Sequence, residues 1–276
     1  MKTVGFIDYF LDEWHANKYP AMIKERTNGE FQVKYAYGKV DCEWGLTNEK
    51  WAEKHGIELL DSIEAVVEKS DVLVVLSPDN PEMHEELTDL PLKSGKLVYV
   101  DKTFATDKET ALRIFENADK HNTKCFSSSA LRFATELKAI DKKKIDKIYS
   151  EGAGYFDSYA IHLIEPIVML MGSRAKRVMS LGNATHPSLV IEFEDGRYAQ
   201  LRQILGAPFK ITAVDDENKY EEFVIESDYF GLFVDAMVKF FETGEIPVEH
   251  AQTVDVIAIR ESGLKAFETP FMWVEI

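Results

Sequence analysis

Several groups of residues in this chain have types and spacings suited to chemistry. Lys102 follows the short apolar run at residues 96–100, which puts a cation just past the carboxyl end of what reads as a strand. His162 and Glu165 stand one helical turn apart, so both project from one helix face. An imidazole titrates near neutral pH and suits the giving or taking of a hydroxyl proton. Arg132, after Ser127-Ser128-Ser129, offers a cation to a substrate oxygen or carboxylate. Tyr9, Asp12, Glu13, Trp14 and His15 form an aromatic and acidic cluster in which rings can stack on a ligand and acids can bind its hydroxyls. Each group also has a structural reading. These are a surface lysine, a core histidine among Ile161, Leu163, Ile164 and Ile167, a solvated glutamate, a salt-bridged arginine, and a capped helix start with buried aromatics.

Metal chemistry is not expected. Asp12, Glu13 and His15 are too close in sequence to converge on one helical face. Cys42 and Cys125 form no CxxC pair and lie apart from the histidines, which argues against structural zinc and against a disulfide framework. The 276 residues carry 32 Lys plus Arg against 48 Asp plus Glu, a net charge of −16. That balance disfavours nucleic acid and anionic membrane surfaces as partners. No apolar run approaches the roughly 18 residues of a spanning helix, and the start MKTVGFIDYF lacks a signal-peptide pattern, so a cytoplasmic protein is expected.

The elements that must position these groups alternate at first. Strands are expected at residues 3–7, 31–37, 71–76, 96–100 and 123–126, with helices at 11–24, 48–55, 62–68, 81–88 and 107–121. Such alternation predicts a doubly wound parallel sheet, with ligands at the carboxyl ends of the strands near Asp8, Ser77 and Asp101. Beyond residue 126 the pattern changes to alternating strands at 188–193, 198–204, 210–215 and 221–225, with Asp195-Gly196 as a hairpin turn and helices at 158–171 and 230–242. The expected class is therefore α/β, a parallel-sheet domain over 1–126 followed by an α+β domain with a mainly antiparallel sheet over 127–276.

Three segments together resemble the Gfo/Idh/MocA family of NAD(P)-dependent sugar-type dehydrogenases. Residues 57–86 are similar to its third-strand region, with Ser77, Pro78, Asn80 and His84 in the turn and helix that follow. Asp101-Lys102-Thr103 stands where the family has Glu-Lys-Pro. Residues 154–172 resemble its Asp-x-x-x-His-x-x-Asp helix, here Ser158, His162 and Glu165, with Asp157 one place early. The resemblance implies a Rossmann-type first domain and NAD or NADP held by Asp8, Tyr9, Phe10, Ser77, Pro78, Asn80, Asp101 and Lys102. It further implies catalysis by Lys102, His162 and Glu165, substrate contacts from Arg132, Ser158, His162 and Trp14, no metal, and a homo-oligomer, either dimer or tetramer. Hydride would pass between nicotinamide and a hydroxyl of a sugar, polyol or related small molecule.

One departure cuts against this. The dinucleotide fingerprint GxGxxG lets the backbone approach a pyrophosphate at a helix N-terminus. Strand alignment puts Asp8, Phe10 and Glu13 where the glycines belong, and Ala36-Tyr37-Gly38 lacks the ribose-binding acid, although Asp41 is near. The alternative is a noncatalytic sensor or binding protein of the same fold that has lost the dinucleotide.

Overall fold

The structure, a computed structural model, describes all 276 residues, and the chain divides into two compact units. The first comprises Met1–Ser128 and Phe233–His250, the second Ser129–Leu232 and Ala251–Ile276. The sequence reading drew a single cut after residue 126, whereas here the chain returns once to the first unit.

In the first unit, strands β1 (Lys2–Asp8), β2 (Phe31–Gly38), β3 (Glu58–Leu59), β4 (Val72–Val75), β5 (Val98–Val100) and β6 (Cys125–Phe126) pair in parallel in the order β3-β2-β1-β4-β5-β6. Helices α1 (Trp14–Arg26), α2 (Asn48–His55), α3 (Ile63–Lys69), α4 (His84–Lys93) and α5 (Lys108–Lys120) connect them. β4 and β5 are buried at every residue, which is why they read as unbroken apolar runs. Gly5 allows α3 close to β1, since a β-carbon there would lie 2.6 Å from the Val66 side chain. Caps fix the ends. Ser62 accepts from the Ala65 amide, Asp107 from that of Thr110, and Gly56 closes α2 in the left-handed region.

The strand order reverses direction between β1 and β4, which puts the sheet's topological switch point at the end of β1. Two helix starts differ from expectation. α1 begins at Trp14 rather than Leu11, because Glu13 caps it. Residues 81–83 form a tight 3-10 turn before α4, a consequence of Pro81 at its start.

In the second unit, β7 (Ile145–Gly152), α6 (Phe156–Met171), β8 (Ala175–Ser180), β9 (Ser188–Phe193), β10 (Tyr198–Gln203), β11 (Lys210–Asp215) and β12 (Tyr220–Val224) lead to α7 (Tyr229–Thr243), α8 (His250–Ala266) and β13 (Trp273–Glu275). The seven strands run in the order β12-β11-β7-β10-β9-β8-β13. All neighbours are antiparallel except β7 and β10. Gly196, at φ 86°, makes the β9–β10 turn foreseen at Asp195-Gly196. α7 enters the first unit from Phe233 onward, where Phe233 meets Tyr19 and Tyr99, Phe240 meets Phe126, and Phe241 stacks on Phe31. No helix of the chain is long and apolar enough to cross a membrane.

Candidate active site

At the carboxyl edge of the parallel sheet the ends of β1, β4 and β5 each bring a candidate residue. Lys102, just past β5, donates from Nζ to the Pro78 carbonyl oxygen at 3.3 Å, so the ammonium is braced on the turn after β4. That turn is held by Ser77, which adopts φ 87° and donates from its hydroxyl to the Asn80 carbonyl at 3.0 Å. A buried non-glycine residue in this region stores strain on the order of 1–3 kcal/mol, which surrounding contacts must offset. His84 supplies one of them. It is fully buried, with Nε2 2.6 Å from the Leu76 carbonyl oxygen and Nδ1 3.1 Å from that of Phe104, so it ties the end of β4 to the segment after Lys102. Burial holds its pKa below the ordinary value. Asn80 donates to Glu82 at 2.9 Å.

Asp101 is almost wholly buried. The Tyr99 hydroxyl donates to its Oδ1 at 2.7 Å, and His15 Nδ1 lies 3.6 Å from its Oδ2. His15 Nδ1 also lies 3.0 Å from Glu13 Oε2. Burial pulls the His15 pKa down, but the Asp101 and Glu13 carboxylates outweigh it and leave the imidazole above its usual value, with Lys102 opposing them. His15 thus joins Lys102 and Asp101 in one electrostatic cluster. The sequence reading placed it only in an acidic-aromatic patch; its position two residues after an acidic cap is the signal that was available.

The loop between β1 and α1 is where a dinucleotide's phosphates would be received, and its amides are held by the chain's own oxygens. Tyr9 N donates to Asp8 Oδ1 at 2.7 Å, Leu11 N to Asn48 Oδ1 at 3.0 Å, and His15 N to Glu13 Oε2 at 2.6 Å. Ala16 N donates to Glu13 Oε1. Phe10, expected to touch a cofactor, is instead buried, packing edge-to-face on Trp44. Asp12 pins the loop by accepting from Leu46 N at 2.6 Å and Asn17 Nδ2 at 2.8 Å. Trp14 is half exposed, edge-on to His15 and Tyr19. Asp41 accepts from Asn48 N at 2.7 Å and so serves the start of α2. An open groove of about 660 Å3 beside the end of β2 is lined by Tyr37, Asp61, Ser62, Glu82 and Glu86 among others.

A nicotinamide dinucleotide fits the donor set at the strand ends, where the Ser77–Asn80 turn and Lys102 offer polar groups. The first amides of α1 are taken by the Glu13 carboxylate.

Asp8 gives this arrangement a measurable signature. It is 1% exposed, its Oδ2 has no hydrogen-bond partner, and burial followed by the nearby Glu13 charge pushes its pKa well up, the Tyr9 amide only partly opposing this. A raised carboxyl pKa contributes stability below the unfolded value near 3.8, and that contribution is lost as pH rises through the folded value. Asp8→Asn should therefore stabilise the chain relative to wild type increasingly as pH rises from 4 to 8. Melting temperatures across that range that kept a constant difference would contradict the buried, proton-holding state.

In the second unit, His162 sits on α6 with Nδ1 2.7 Å from the Ser129 hydroxyl, and its ring lies edge-on to Tyr159 and Phe209. Ser158 is four residues earlier on the same face and half-buried, which fits the expected position better than Asp157. Asp157 instead accepts from the buried Arg260, through both its carboxylate and its backbone oxygen. Glu165 is not a solvated carboxylate. It is 2% exposed and accepts from Arg132 Nη1 at 2.9 Å, while Arg132 also donates to Gln252. The sequence reading gave Glu165 a catalytic role and Arg132 a substrate contact, separately; the structure joins them as a buried ion pair.

These features define a Rossmann-type α/β protein with lysine at the sheet's carboxyl edge and a histidine-bearing helix in a second unit. Residues 45–129 match the family described as "Oxidoreductase family, NAD-binding Rossmann fold", GFO_IDH_MocA. This is the Gfo/Idh/MocA family that the motifs of the sequence resemble, matched here over residues 45–129. Among solved structures it is similar to a "probable dehydrogenase" from Thermotoga maritima, at 15% identity and TM-score 0.82, covering 99% of this chain and 98% of that one. It is similar also to scyllo-inositol dehydrogenase from Lactobacillus casei with bound NAD(H) and scyllo-inositol, at 14% identity, TM-score 0.79 and coverage of 99% and 98%. An oxidoreductase from Bacillus cereus follows at 17% identity, TM-score 0.73 and coverage of 100% and 99%. At these identities the likeness carries the fold. No curated protein matches. The family match begins at residue 45, after the loop in which the glycines are replaced.

Proposed function

We propose that the chain is an oxidoreductase that exchanges hydride between NAD or NADP and a hydroxyl-bearing carbon of a sugar, polyol or related small molecule. The observation that carries this reading is Lys102, braced on Pro78 at the end of β5 within the stretch that matches the family. Bound NAD or NADP would supply the hydride acceptor or donor. Lys102 holds the reacting hydroxyl by its ammonium and eases the departure of its proton. His162 takes or returns that proton, its ring set by the Ser129 hydroxyl. Arg132 and Glu165 position the helix that carries it, and Ser158 offers a substrate hydrogen bond from the same face. Ser77 and Asn80 line the nucleotide side, and the acids of the groove beside β2 suit ribose hydroxyls. The scyllo-inositol held by the Lactobacillus casei neighbour supports the polyol class.

The occupied loop favours a second reading, a binding protein of the same fold that uses no dinucleotide. Calorimetric titration of the full chain with NAD(H) and NADP(H) separates the two. Micromolar binding of either supports the oxidoreductase; no heat at millimolar concentration supports the second reading.

A further inference from the structure

We propose that Tyr159, Phe209 and Tyr229 form an aromatic wall beside His162 that selects ring-shaped polyols, pyranoses or cyclitols, by stacking on their C–H face. This rests on the oxidoreductase reading and adds to it the residues that set its specificity. All three lie in the second unit with His162. Tyr159 precedes His162 by three residues on α6, so the two share a helix face, and their rings meet edge-on with centroids 5.3 Å apart. Phe209, just before β11, also meets the imidazole edge-on, at 5.9 Å, and Tyr229, which begins α7, meets Phe209 at 6.5 Å. Two glycines make room for these rings. A β-carbon on Gly152 would lie 2.4 Å from Phe209 Cδ1, and one on Gly154, at φ 94°, would lie 2.3 Å from Tyr159 Cγ. The turn between β7 and α6 thus gives up two side chains to seat two rings.

Core packing does not account for this placement. Tyr159 is 45% exposed, and Phe209, Tyr229 and His162 are half-buried, whereas Phe156 and Phe193 of the same unit are covered. Ring surface left in water beside an imidazole becomes favourable contact area when a ligand covers it. A ring-shaped polyol has two kinds of surface, hydroxyls around its rim and C–H bonds on its faces. The rim suits His162 and Ser158, and a C–H face suits the wall. Burial, with Tyr159 nearby, holds the Tyr229 hydroxyl above its ordinary pKa, so it keeps its proton and can donate to a rim oxygen. An open-chain polyol carries the same hydroxyls but must give up bond rotations before it presents a flat face.

The test is saturation-transfer NMR of the full chain, with and without NAD, using D-glucose and myo-inositol as ring probes and D-glucitol as the open-chain probe. At least one ring probe should bind about tenfold or more tightly than glucitol, and saturation of the aromatic protons should reach its C–H protons. Tyr159→Ala and Phe209→Leu should each bring that binding down to the level of glucitol, while Tyr159→Phe, which keeps the ring, should retain it. Tyr159 is exposed enough that its alanine variant should fold, and melting temperatures check this. Equal binding of ring and chain probes, a ring preference that survives both truncations, or no binding of any probe overturns the wall. NAD binding alongside any of those results leaves the oxidoreductase reading standing. Ring binding by a chain that binds neither NAD(H) nor NADP(H) keeps the wall and overturns that reading instead.

Discussion

Turnover of a polyol by the purified chain should fall by about two to four orders of magnitude when His162 becomes alanine, the range expected for loss of a positioned acid or base. Lys102→Ala should fall as far, because the reacting hydroxyl would lose the cation that holds it. Initial rates of nicotinamide reduction with inositols and other polyols measure this, with melting temperatures as a check on folding. Either variant retaining more than about a tenth of wild-type turnover would remove that residue from the chemistry. His162→Gln is informative beside the alanine. It can still meet the Ser129 hydroxyl but carries no titratable proton, so it should be as inactive as alanine if the ring acts as a base, and partly active if His162 only positions substrate.

Arg132→Met should destabilise the second unit by about 3–5 kcal/mol, the cost of removing one partner from a buried ion pair. Arg132 and Glu165 side chains are 8% and 3% exposed, so Glu165 would lose its cationic partner in surroundings that water scarcely reaches. Replacing both, as Arg132→Met with Glu165→Leu, should recover most of the loss, since similar apolar volume often substitutes for a buried pair at little net cost. Urea unfolding of the two single variants and the double variant closes the cycle. A single-variant cost under about 1 kcal/mol would mean that water reaches the pair and that Arg132 is available to a ligand after all.

The parallel sheet was legible because its strands are covered on both faces and punctuated by recognisable caps. Asp71 to Leu76 reads as one apolar run, and β4 lies within it. The second sheet was only half legible. β9 and β10 alternate cleanly, and β9 and β11 fall at the predicted residues, but β7 carries charges through IDKIYSEG and gave no such pattern. α8 was missed for the opposite reason. It is buried nearly all round, so it has no polar face against which an apolar stripe could stand out. Lys102, His162 and Glu165 stood out through the family motifs they resemble, whereas the ion pair that fixes Glu165 joins positions 33 residues apart and leaves no local trace. The departure of the first loop was visible as missing glycines. Which oxygens bond its amides, those of Asp8, Asn48 and Glu13, could only be seen in the fold.

The return of Phe233–His250 to the first unit sets a schedule for biosynthesis. Tyr19, Phe31, Tyr99 and Phe126 are made early, yet their aromatic partners Phe233, Phe240 and Phe241 lie beyond residues 129–232. At about 5–20 residues per second, a ribosome leaves those rings uncovered for roughly 5–20 s after residue 128 is added. Most of the nucleotide-type unit is thus translated before the second unit, yet it cannot be completed until residues 129–232 have been made. Its nascent sheet must wait with apolar surface showing, a period in which a chaperone or an unwanted neighbour has access to it.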